Sequence, residues 1–458
     1  MEYRIERDSM GEVRVPADRY WGAQTQRSHE NFPIGVGIET MPTEIIRAFA
    51  VLKKAAAIAN RELLPARMSA EKCAQIGRVC DEILAGELDG HFSLVVWQTG
   101  SGTQSNMNVN EVIANRGNEL AGKKLLHPND DVNMSQSSND TFPTAMHIAA
   151  CLAVEDRLLP AVSALEQTLL RLEAENVDVL KSGRTHLQDA TPITFAQEIS
   201  GWRTSLARDR ELLTAALPPL RELALGGTAV GTGLNAPDGF DRAVAAAAAE
   251  LTGKPFVTAS NKFHALTSKD ELVFAHGAVK ALACDMMKLA NDVRWLASGP
   301  RTGLGEIAIP ANEPGSSIMP GKINPVIPEV VSQVAFNIIG NDVTVTMAAE
   351  AGQLELNAFE PIIFYNLIQS VETLTYAVHT FVDNCVTGIT ANEERCRELV
   401  ESSVGVITAL TPHIGYERAA EVAKLAHRED LTLRESCLRL GYMTAEAFDA
   451  AYRPEKMV

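Results

Sequence analysis

Three long runs of regularly spaced apolar residues constrain the fold of this chain more than any other feature. In each run the apolar residues follow one another at alternating steps of three and four. This spacing places them on one face of a helix, as bundle-forming helices require. The runs are Leu158, Val162, Leu165, Leu169 and Leu172; Val279, Leu282, Met286, Leu289, Val293 and Leu296; and Leu367, Val371, Leu374, Val378 and Phe381. Strand patterns are sparse, so the sequence predicts a mainly α-helical protein with a long central helix bundle.

Changes in sequence character divide the chain into three predicted domains. Residues 1–139 combine short helical pieces with loops that contain Gly and Pro, and residues 140–391 carry the long periodic runs. Residues 392–458 return to short, charged helical segments. A chain of 458 residues is long enough for several domains.

Composition excludes several classes of protein. The formal net charge of −17 argues against nucleic acid or an anionic membrane surface as a general partner. The seven cysteines are scattered without a CxxC pair, and the ten histidines show no HExxH spacing. We therefore expect no disulfide framework, no metal and no cofactor. The stretch MEYRIERDSMGEV lacks the apolar core of a signal peptide, and no apolar run approaches a membrane span, so we expect a cytoplasmic protein.

Four polar islands interrupt the helical background, and all are rich in hydroxyl and amide side chains. They are TGSGTQSNMN (99–108), HPNDD (127–131) with SQSSND (135–140), GRTHLQD (183–189) and GSSIMPGKINP (315–325). Such residues before a helix are usually caps, but helix N-termini also bind carboxylates and phosphates. The GSGT run lacks a P-loop lysine, so nucleotide binding is not expected, and GGTAVGTG (226–233) is predicted to be a turn. Together the islands indicate a donor-rich site for a small polycarboxylate, with proton transfer beside a carboxylate as its chemistry.

The islands closely resemble, in the same order, the motifs of the fumarase/aspartase superfamily, whose signature loop is usually written GSSxMPxKxNP. Within that superfamily the chain is most similar to class II fumarate hydratases, the metal-free type. The resemblance covers essentially the whole chain. It implies a three-domain helical subunit and a homotetramer with a twenty-helix core, in which three subunits contribute to each active site. The implied activity is the reversible hydration of fumarate to (S)-malate by anti addition of water, without a cofactor, in the tricarboxylic acid cycle.

The resemblance also implies a role for individual residues. Ser316 resembles the general base that removes the C3 proton of malate, and His186 the histidine that acts on the water or hydroxyl side. Glu329 resembles the carboxylate that holds this histidine. The implied substrate-binding residues are Ser101, Gly102, Thr103, Ser137, Ser138, Asn139, Thr185, Ser317, Lys322, Ile323 and Asn324. A second dicarboxylate site is implied at His127, Pro128, Asn129 and Asp130.

These roles make physical sense because removing a proton beside a carboxylate creates a doubly charged aci-carboxylate. Hydrogen-bond donors must be aimed at its oxygens beforehand. A serine is a poor base unless its alkoxide is stabilised, and Lys322 with the amides of the glycine-containing loop could stabilise it. We expect the loop to be mobile, because it must admit the substrate and then exclude water.

Other interpretations remain open at this point. Aspartate ammonia-lyase shares the loop and the carbanion chemistry. Val330-Val331 also resembles the sequence of that sister family. VVWQTGSGTQSNMN and FVTASNKFHAL favour fumarate hydratase instead. Argininosuccinate and adenylosuccinate lyases need further recognition regions that the sequence lacks. An inactive helical scaffold is the remaining alternative, although Ser316, His186, Lys322 and Glu329 are all present.

Overall fold

The computed structural model describes residues 2–458, and it is mainly helical. Within this range there are seventeen α-helices, and the eight short strands pair only two by two. The predicted mainly α fold is therefore confirmed. Among the same residues, no helix is both long enough and apolar enough to cross a membrane.

The helices are numbered in chain order. They are α1 Ala23–Asn31, α2 Thr43–Leu63, α3 Ala70–Leu84, α4 Thr103–Ala121, α5 Ser138–Ala153, α6 Leu159–Glu175, α7 Phe195–Leu220, α8 Phe240–Thr252, α9 Lys262–Thr267, α10 Asp270–Leu296, α11 Val326–Glu350, α12 Glu360–Asn384, α13 Glu393–Ser402, α14 Thr411–Ile414, α15 Tyr416–Glu429, α16 Leu433–Arg439 and α17 Ala445–Ala451. Single π-helical turns at Pro128–Val132 and Val154–Leu158 precede α5 and α6.

The strands form four separate pairs. The antiparallel pairs are β1 Tyr3–Asp8 with β2 Gly11–Pro16, β3 Leu180–Thr185 with β4 Gln188–Thr194, and β7 Ile307–Ala308 with β8 Thr390–Ala391. The parallel pair is β5 Glu222–Leu223 with β6 Val257–Thr258.

The three periodic runs are buried, as their spacing predicts. Every residue of the three runs is buried, on α6 and the π-helical turn before it, on α10 and on α12. α10 has 27 residues, which at 1.5 Å per residue corresponds to about 40 Å. It ends at Leu296, just before the sequence Ser298-Gly299-Pro300, where a helix end is expected.

The described chain divides into two compact units. The first comprises the described residues up to Pro160 together with Glu211–Ala281 and Phe336–Leu374. Within it, α2 packs against α3, α4, α5 and α8. Its buried side chains include Ile45, Phe49 and Leu52.

The second unit comprises Ala161–Arg210, Leu282–Ala335 and Thr375–Val458. In this unit the β3–β4 hairpin packs against α13. The last helices enclose a small core of their own, which includes Val406, Leu410, Val422, Cys437 and Phe448. The three-domain division at residues 139 and 391 is a different partition of the chain, and it remains a prediction.

Candidate active site

The first group of predicted binding residues lies at the start of α4. Gly102 directly precedes the helix in the left-handed conformation, with φ +68°. A Cβ atom there would lie 1.9 Å from the Phe142 ring, so only glycine fits without rearrangement. Ser101 Oγ and Thr103 Oγ1 are 3.1 Å apart and partly exposed. The structure thus brings two hydroxyl groups together at a helix N-terminus, where carboxylates are stabilised.

The second group lies at the start of α5. Ser137 is its N-cap: Ser137 Oγ accepts a hydrogen bond from Asn139 N, and Asp140 Oδ1 accepts one from Ser137 N at 2.9 Å. Asn139 Nδ2 donates to Ala229 O at 2.8 Å. Ser137 therefore already has the structural role of a cap, which the sequence pattern alone also allowed.

Ser138 is held differently from Ser137. Its Oγ accepts a hydrogen bond of 3.1 Å from Asn106 Nδ2, and Asn106 lies on α4. Because this bond uses a lone pair of the hydroxyl oxygen, the Ser138 O–H remains free to donate to a ligand. Asn106 therefore links the starts of α4 and α5.

The GGTAVGTG segment is a turn, as predicted, and it packs against the start of α5. Gly226 N and Thr228 N donate to Asp140 Oδ2 at 3.0 and 2.8 Å, and Gly226 has φ +99°. Asp140 is fully buried. Burial raises the pKa of Asp140 to about 6, although the backbone donors act in the opposite direction.

Most of the predicted second dicarboxylate site lines a cavity of about 640 Å³ in the first unit. The lining includes two cationic residues and three of the four predicted residues: Arg7, Lys124, His127, Pro128 and Asn129. Asp130 is not part of this lining, and its amide donates to His127 Nδ1 at 3.2 Å. The lining also includes three carboxylates, Glu6, Asp8 and Glu111, so Lys124 and His127 are the groups that could face an anion there.

His186 and Leu187 form the two-residue turn between β3 and β4. Their φ angles are +57° and +59°, as in the type I′ turns that suit two-residue hairpins. Both side chains are exposed, as are those of Thr185 and Gln188. Among the described residues no hydrogen bond or ion pair involves the His186 ring. The island predicted only as a loop is therefore the tip of a hairpin.

A buried group of charged side chains fixes the base of this hairpin. Arg184 Nη1 donates to both carboxylate oxygens of Glu306, and Lys181 Nζ lies 3.1 Å from Glu198 Oε2 and 3.5 Å from Glu306 Oε2. Lys181 and Glu306 are buried. Burial raises the pKa of Glu198, and the adjacent Lys181 opposes this shift. These buried ion pairs therefore hold the base of the hairpin whose tip carries His186.

The loop that contains Ser316 is closed by its own hydrogen bonds. Gly315 N donates to Lys322 O at 2.7 Å, and Asn324 Nδ2 donates to Gly315 O, also at 2.7 Å. Ser317 and Lys322 are exposed on this loop. The structure therefore brings the two ends of the signature loop together.

Ser316 accepts two backbone hydrogen bonds inside this loop. The donors are Ile318 N at 3.2 Å and Met319 N at 3.0 Å. Hydrogen bonds donated to an oxygen favour its deprotonated form. Ser316 is thus placed where a serine alkoxide would be stabilised.

Four of the predicted residues line one cavity of about 680 Å³ in the second unit: Lys322, Ile323, Asn324 and Glu329. Asn291 and Arg294 of α10 line the same cavity. Arg294 Nη2 lies 3.7 Å from Glu329 Oε1. Among the described residues no hydrogen bond or ion pair joins Glu329 to His186, so a single chain does not display that predicted pair.

The predicted residues are distributed over both units. Those at 101–103, 127–130 and 137–139 belong to the first unit, and those at 185, 186 and 316–329 belong to the second.

Within residues 2–458, one group of side chains has the geometry to hold a metal ion: His264, Asp270 and Glu271, whose ligand atoms lie within 4.8 Å of one another. None of these is a predicted site residue. Asp270 and Glu271 begin α10, where carboxylates are stabilised by the helix dipole. His264 Nε2 lies 3.2 Å from Asp270 Oδ1. An ordinary ion pair at a helix start therefore accounts for this group.

Three residues that contact the site residues or their supports were not predicted from the sequence: Glu306, Arg294, and Lys53, whose ammonium donates to Asn106 Oδ1. Lys53 had a signal, because it falls on the apolar face of α2 in line with Ile46 and Phe49, where a charge needs an explanation. Glu306 and Arg294 had none, because their partners are distant along the chain.

Comparisons with known proteins agree with this fold. Residues 11–340 match the family described as Lyase, and residues 406–458 match the family described as Fumarase C C-terminus. The fold and the signature loop, together with these matches, define a lyase.

The similarity to individual relatives covers whole chains. The chain is 57% identical to the class II fumarate hydratase of Bacillus cereus and 56% identical to that of Bacillus subtilis, over 100% of this chain and 99% of each relative. The crystal structure of a class II fumarase from Schistosoma mansoni matches this fold with a TM-score of 0.97, over 100% of this chain and 99% of that one. The two sequences are 42% identical. The chain belongs to the class II fumarate hydratase family.

Proposed function

We propose that this chain catalyses the reversible hydration of fumarate to (S)-malate by anti addition of water, a step of the tricarboxylic acid cycle. Its family membership and the geometry of Ser316 support this function. The observation that carries the proposal is that Ser316 Oγ accepts hydrogen bonds from Ile318 N and Met319 N. A serine so placed is suited to act as a base.

In the malate-to-fumarate direction, Ser316 in its alkoxide form removes the C3 proton of malate. The two N–H groups stabilise that alkoxide, and Lys322 adds positive charge on the same loop. Proton removal forms the aci-carboxylate, whose charge is stabilised by donors already in place. Losing one such donor typically costs on the order of 10²–10³ in rate.

His186 acts on the hydroxyl that leaves as water, and Glu329 holds its ring. The exposed position of His186 at the hairpin tip supports this role, because the ring is open to a substrate or another subunit. In this proposal Glu329 comes from a different copy of the chain than His186.

The substrate carboxylates are bound by hydroxyl, amide and ammonium groups from the islands. The groups proposed for this are Ser101, Gly102, Thr103, Ser137, Ser138, Asn139, Thr185, Ser317, Lys322, Ile323 and Asn324. The reaction needs neither metal nor cofactor. His127, Pro128, Asn129 and Asp130 form a second dicarboxylate site, in which the nearby Lys124 supplies the positive charge for the anion.

The working form is a homotetramer with a twenty-helix core, and each active site combines residues of three subunits. An apolar face on α11 supports assembly, because Phe336, Val343 and Met347 are 62%, 58% and 60% exposed at helical spacing. The chain acts in the cytoplasm on a small dicarboxylate. Its proposed domains are residues 1–139, 140–391 and 392–458, and the separate core near the C-terminus supports the last of them.

The reaction itself is tested by proton NMR of fumarate incubated with the protein in D₂O. We expect (S)-malate with one deuterium at C3 in a single diastereomer, because anti addition delivers it to one face. If ammonium ions and fumarate give aspartate, and no malate forms, the chain is an ammonia-lyase instead. No product from either mixture would favour the scaffold interpretation.

The shared active site is tested by mixing two inactive variants. His186→Asn and Ser316→Ala protein are denatured together and refolded, and each variant refolded alone is the control. Mixed tetramers should recover activity, because some sites then receive both intact residues. No recovery, with tetramers confirmed by size-exclusion chromatography, would place both residues of a site on one subunit.

A further inference from the structure

A fully buried lysine lies beneath the start of α5. Lys53 Nζ donates three hydrogen bonds, to Asn106 Oδ1 at 2.7 Å, Gln136 Oε1 at 2.9 Å and Asn133 Oδ1 at 3.2 Å. Lys53 has no exposed surface, and among the described residues no carboxylate lies within ion-pair distance of its ammonium. Buried ammonium groups are normally paired with an anion, because removing them from water is costly. The three amide oxygens solvate this charge without neutralising it.

The ammonium fixes the orientation of the Asn106 amide. Since an ammonium group only donates, the oxygen of this amide must face Lys53. Asn106 Nδ2 then donates to Ser138 Oγ and to Asn133 Oδ1, each at 3.1 Å. One lone pair of Ser138 Oγ is thereby occupied, and its O–H is directed away from Asn106 as a donor.

The same ammonium holds the turn that leads into α5. Asn133 and Gln136 both lie in the segment between the π-helical turn and Ser137. Gln136 Nε2 also donates to Val132 O and Met134 O, which fixes the direction of its amide. Lys53 thus connects α2, α4 and this turn at one point.

We propose that Lys53 is a positioning residue for substrate binding, which acts through Asn106 to hold the Ser138 hydroxyl as a donor to one carboxylate of the dicarboxylate. This inference rests on the proposed function. A row of donors runs from the ammonium through the amide to the hydroxyl and then to the anion, and each hydrogen bond polarises the next. The buried positive charge also favours an anion at the end of this row.

Lys53→Met tests the proposal because it keeps an unbranched side chain, shorter by one atom, and removes the charge. We expect the KM for malate and the inhibition constant of succinate, an unreactive dicarboxylate, to rise on the order of 10- to 100-fold. The kcat should fall much less, because the lost interaction is made in both the ground state and the transition state. Lys54→Met is the matched control: this neighbour on α2 pairs with Asp81 at 2.6 Å, and its loss should leave both constants unchanged.

A double variant separates positioning from general stability. If Lys53 acts through the Ser138 hydroxyl, Lys53→Met combined with Ser138→Ala should weaken succinate binding no more than the stronger single change. Independent, additive losses would overturn the proposal, as would a Lys53→Met enzyme with an unchanged KM. Wild-type protein that does not turn over malate would instead contradict the proposed function itself.

A measurement on wild-type protein covers the case in which Lys53→Met does not fold. Burial lowers the pKa of Lys53 to about 7, so its charge is lost as the pH rises further. The titratable groups that influence it are Asp140 on α5, whose pKa is about 6, and Cys80 on α3, whose pKa burial raises to about 12. Between about pH 7 and pH 9 only Lys53 among these three changes its charge.

Succinate affinity should therefore decrease across this pH range in wild-type protein. In Ser138→Ala protein the decrease should be much smaller, because the hydroxyl that transmits the effect is absent. An affinity that does not change with pH in wild-type protein, or an equal decrease in both proteins, would overturn the positioning role.

Discussion

Arg184 Nη1 donates a hydrogen bond to each carboxylate oxygen of Glu306, at 3.0 and 2.9 Å, and Glu306 has no exposed surface. The two residues are 122 positions apart in the sequence. Their contact, with Lys181 beside it, holds the hairpin whose tip is His186. The position of the proposed catalytic histidine therefore depends on a carboxylate that is itself fully buried.

Glu306→Ala should destabilise the protein and lower its activity. The change leaves Arg184 without its buried partner and Lys181 with Glu198 alone, and breaking a buried pair typically costs about 3–5 kcal/mol in the free energy of unfolding. Urea unfolding measures this loss, and kcat measured on the folded fraction should fall as well. Glu398→Ala is the control, because its exposed pair with Arg395 should contribute less than about 1 kcal/mol. Equal stabilities of the two variants would show that the buried pair does not support the hairpin.

Gly102→Ala should disturb the start of α4 and weaken substrate binding. Besides the strain of a left-handed alanine, its methyl group would lie 1.9 Å from the Phe142 ring. Gly122→Ala is a matched control, because Gly122 has a similar φ of +64° but nothing within 4 Å of the added Cβ. The control should lose about 1 kcal/mol, and Gly102→Ala at least 1–3 kcal/mol more. Similar thermal unfolding and similar KM values for the two variants would contradict this account.

Asp209 should make the stability of the protein depend on pH. It is 2% exposed on α7, and burial together with the nearby Asp285 on α10 raises its pKa to about 7. An acid whose pKa is raised on folding binds its proton more tightly in the folded state than in the unfolded state. The free energy of unfolding should therefore fall as the pH rises from about 4 to about 7, and this contribution stays lost above that range.

Asp209→Asn tests this dependence because the amide cannot ionise but still donates to Asp285. Above pH 7 the variant should be more stable than wild type by about 1–3 kcal/mol, after allowance for solvent screening near the pair. Near pH 4 the difference should disappear. Asp238→Asn, at an exposed position, is the control and should have no effect at either pH. Urea unfolding of the variant and of wild type at several pH values measures these stabilities. A stability difference that does not change with pH would exclude the titration of Asp209.

Ser316→Ala should lower kcat by at least about 10³-fold, because no other group at this position removes the C3 proton. The fold and the oligomeric state should not change, since Ser316 lies on a surface loop and its two N–H donors remain open to water. Size-exclusion chromatography and circular dichroism provide the control. Dissociation or unfolding of the variant would make this serine structural.

The helices were largely predictable, because a single physical rule governs them. Apolar residues at steps of three and four must share a face, and the runs around Leu165, Met286 and Leu374 are all buried. The β3–β4 hairpin was not predictable in this way. Its turn is His186-Leu187 rather than the Asn-Gly or Asp-Gly of most type I′ turns, and its strands lack a clear alternation.

The candidate site was predictable in its residues but not in its supports. The motif around Ser316 is contiguous in sequence, so resemblance could identify it. Lys53 and Asn106 are 53 positions apart, and Arg184 and Glu306 are 122 apart. Contacts of this kind follow from tertiary packing, for which a single sequence carries no local signal. Only the charge of Lys53 on an apolar helix face pointed to a buried partner.

The most direct test of the proposed function is the ultraviolet absorbance of the fumarate double bond, measured with purified protein and L-malate and, separately, with L-aspartate. We expect a rise with malate and none with aspartate, since water is eliminated and ammonia is not. The rise should be absent in Ser316→Ala protein. A rise with aspartate alone, or no rise with either compound, would contradict the assignment of this chain as a fumarate hydratase.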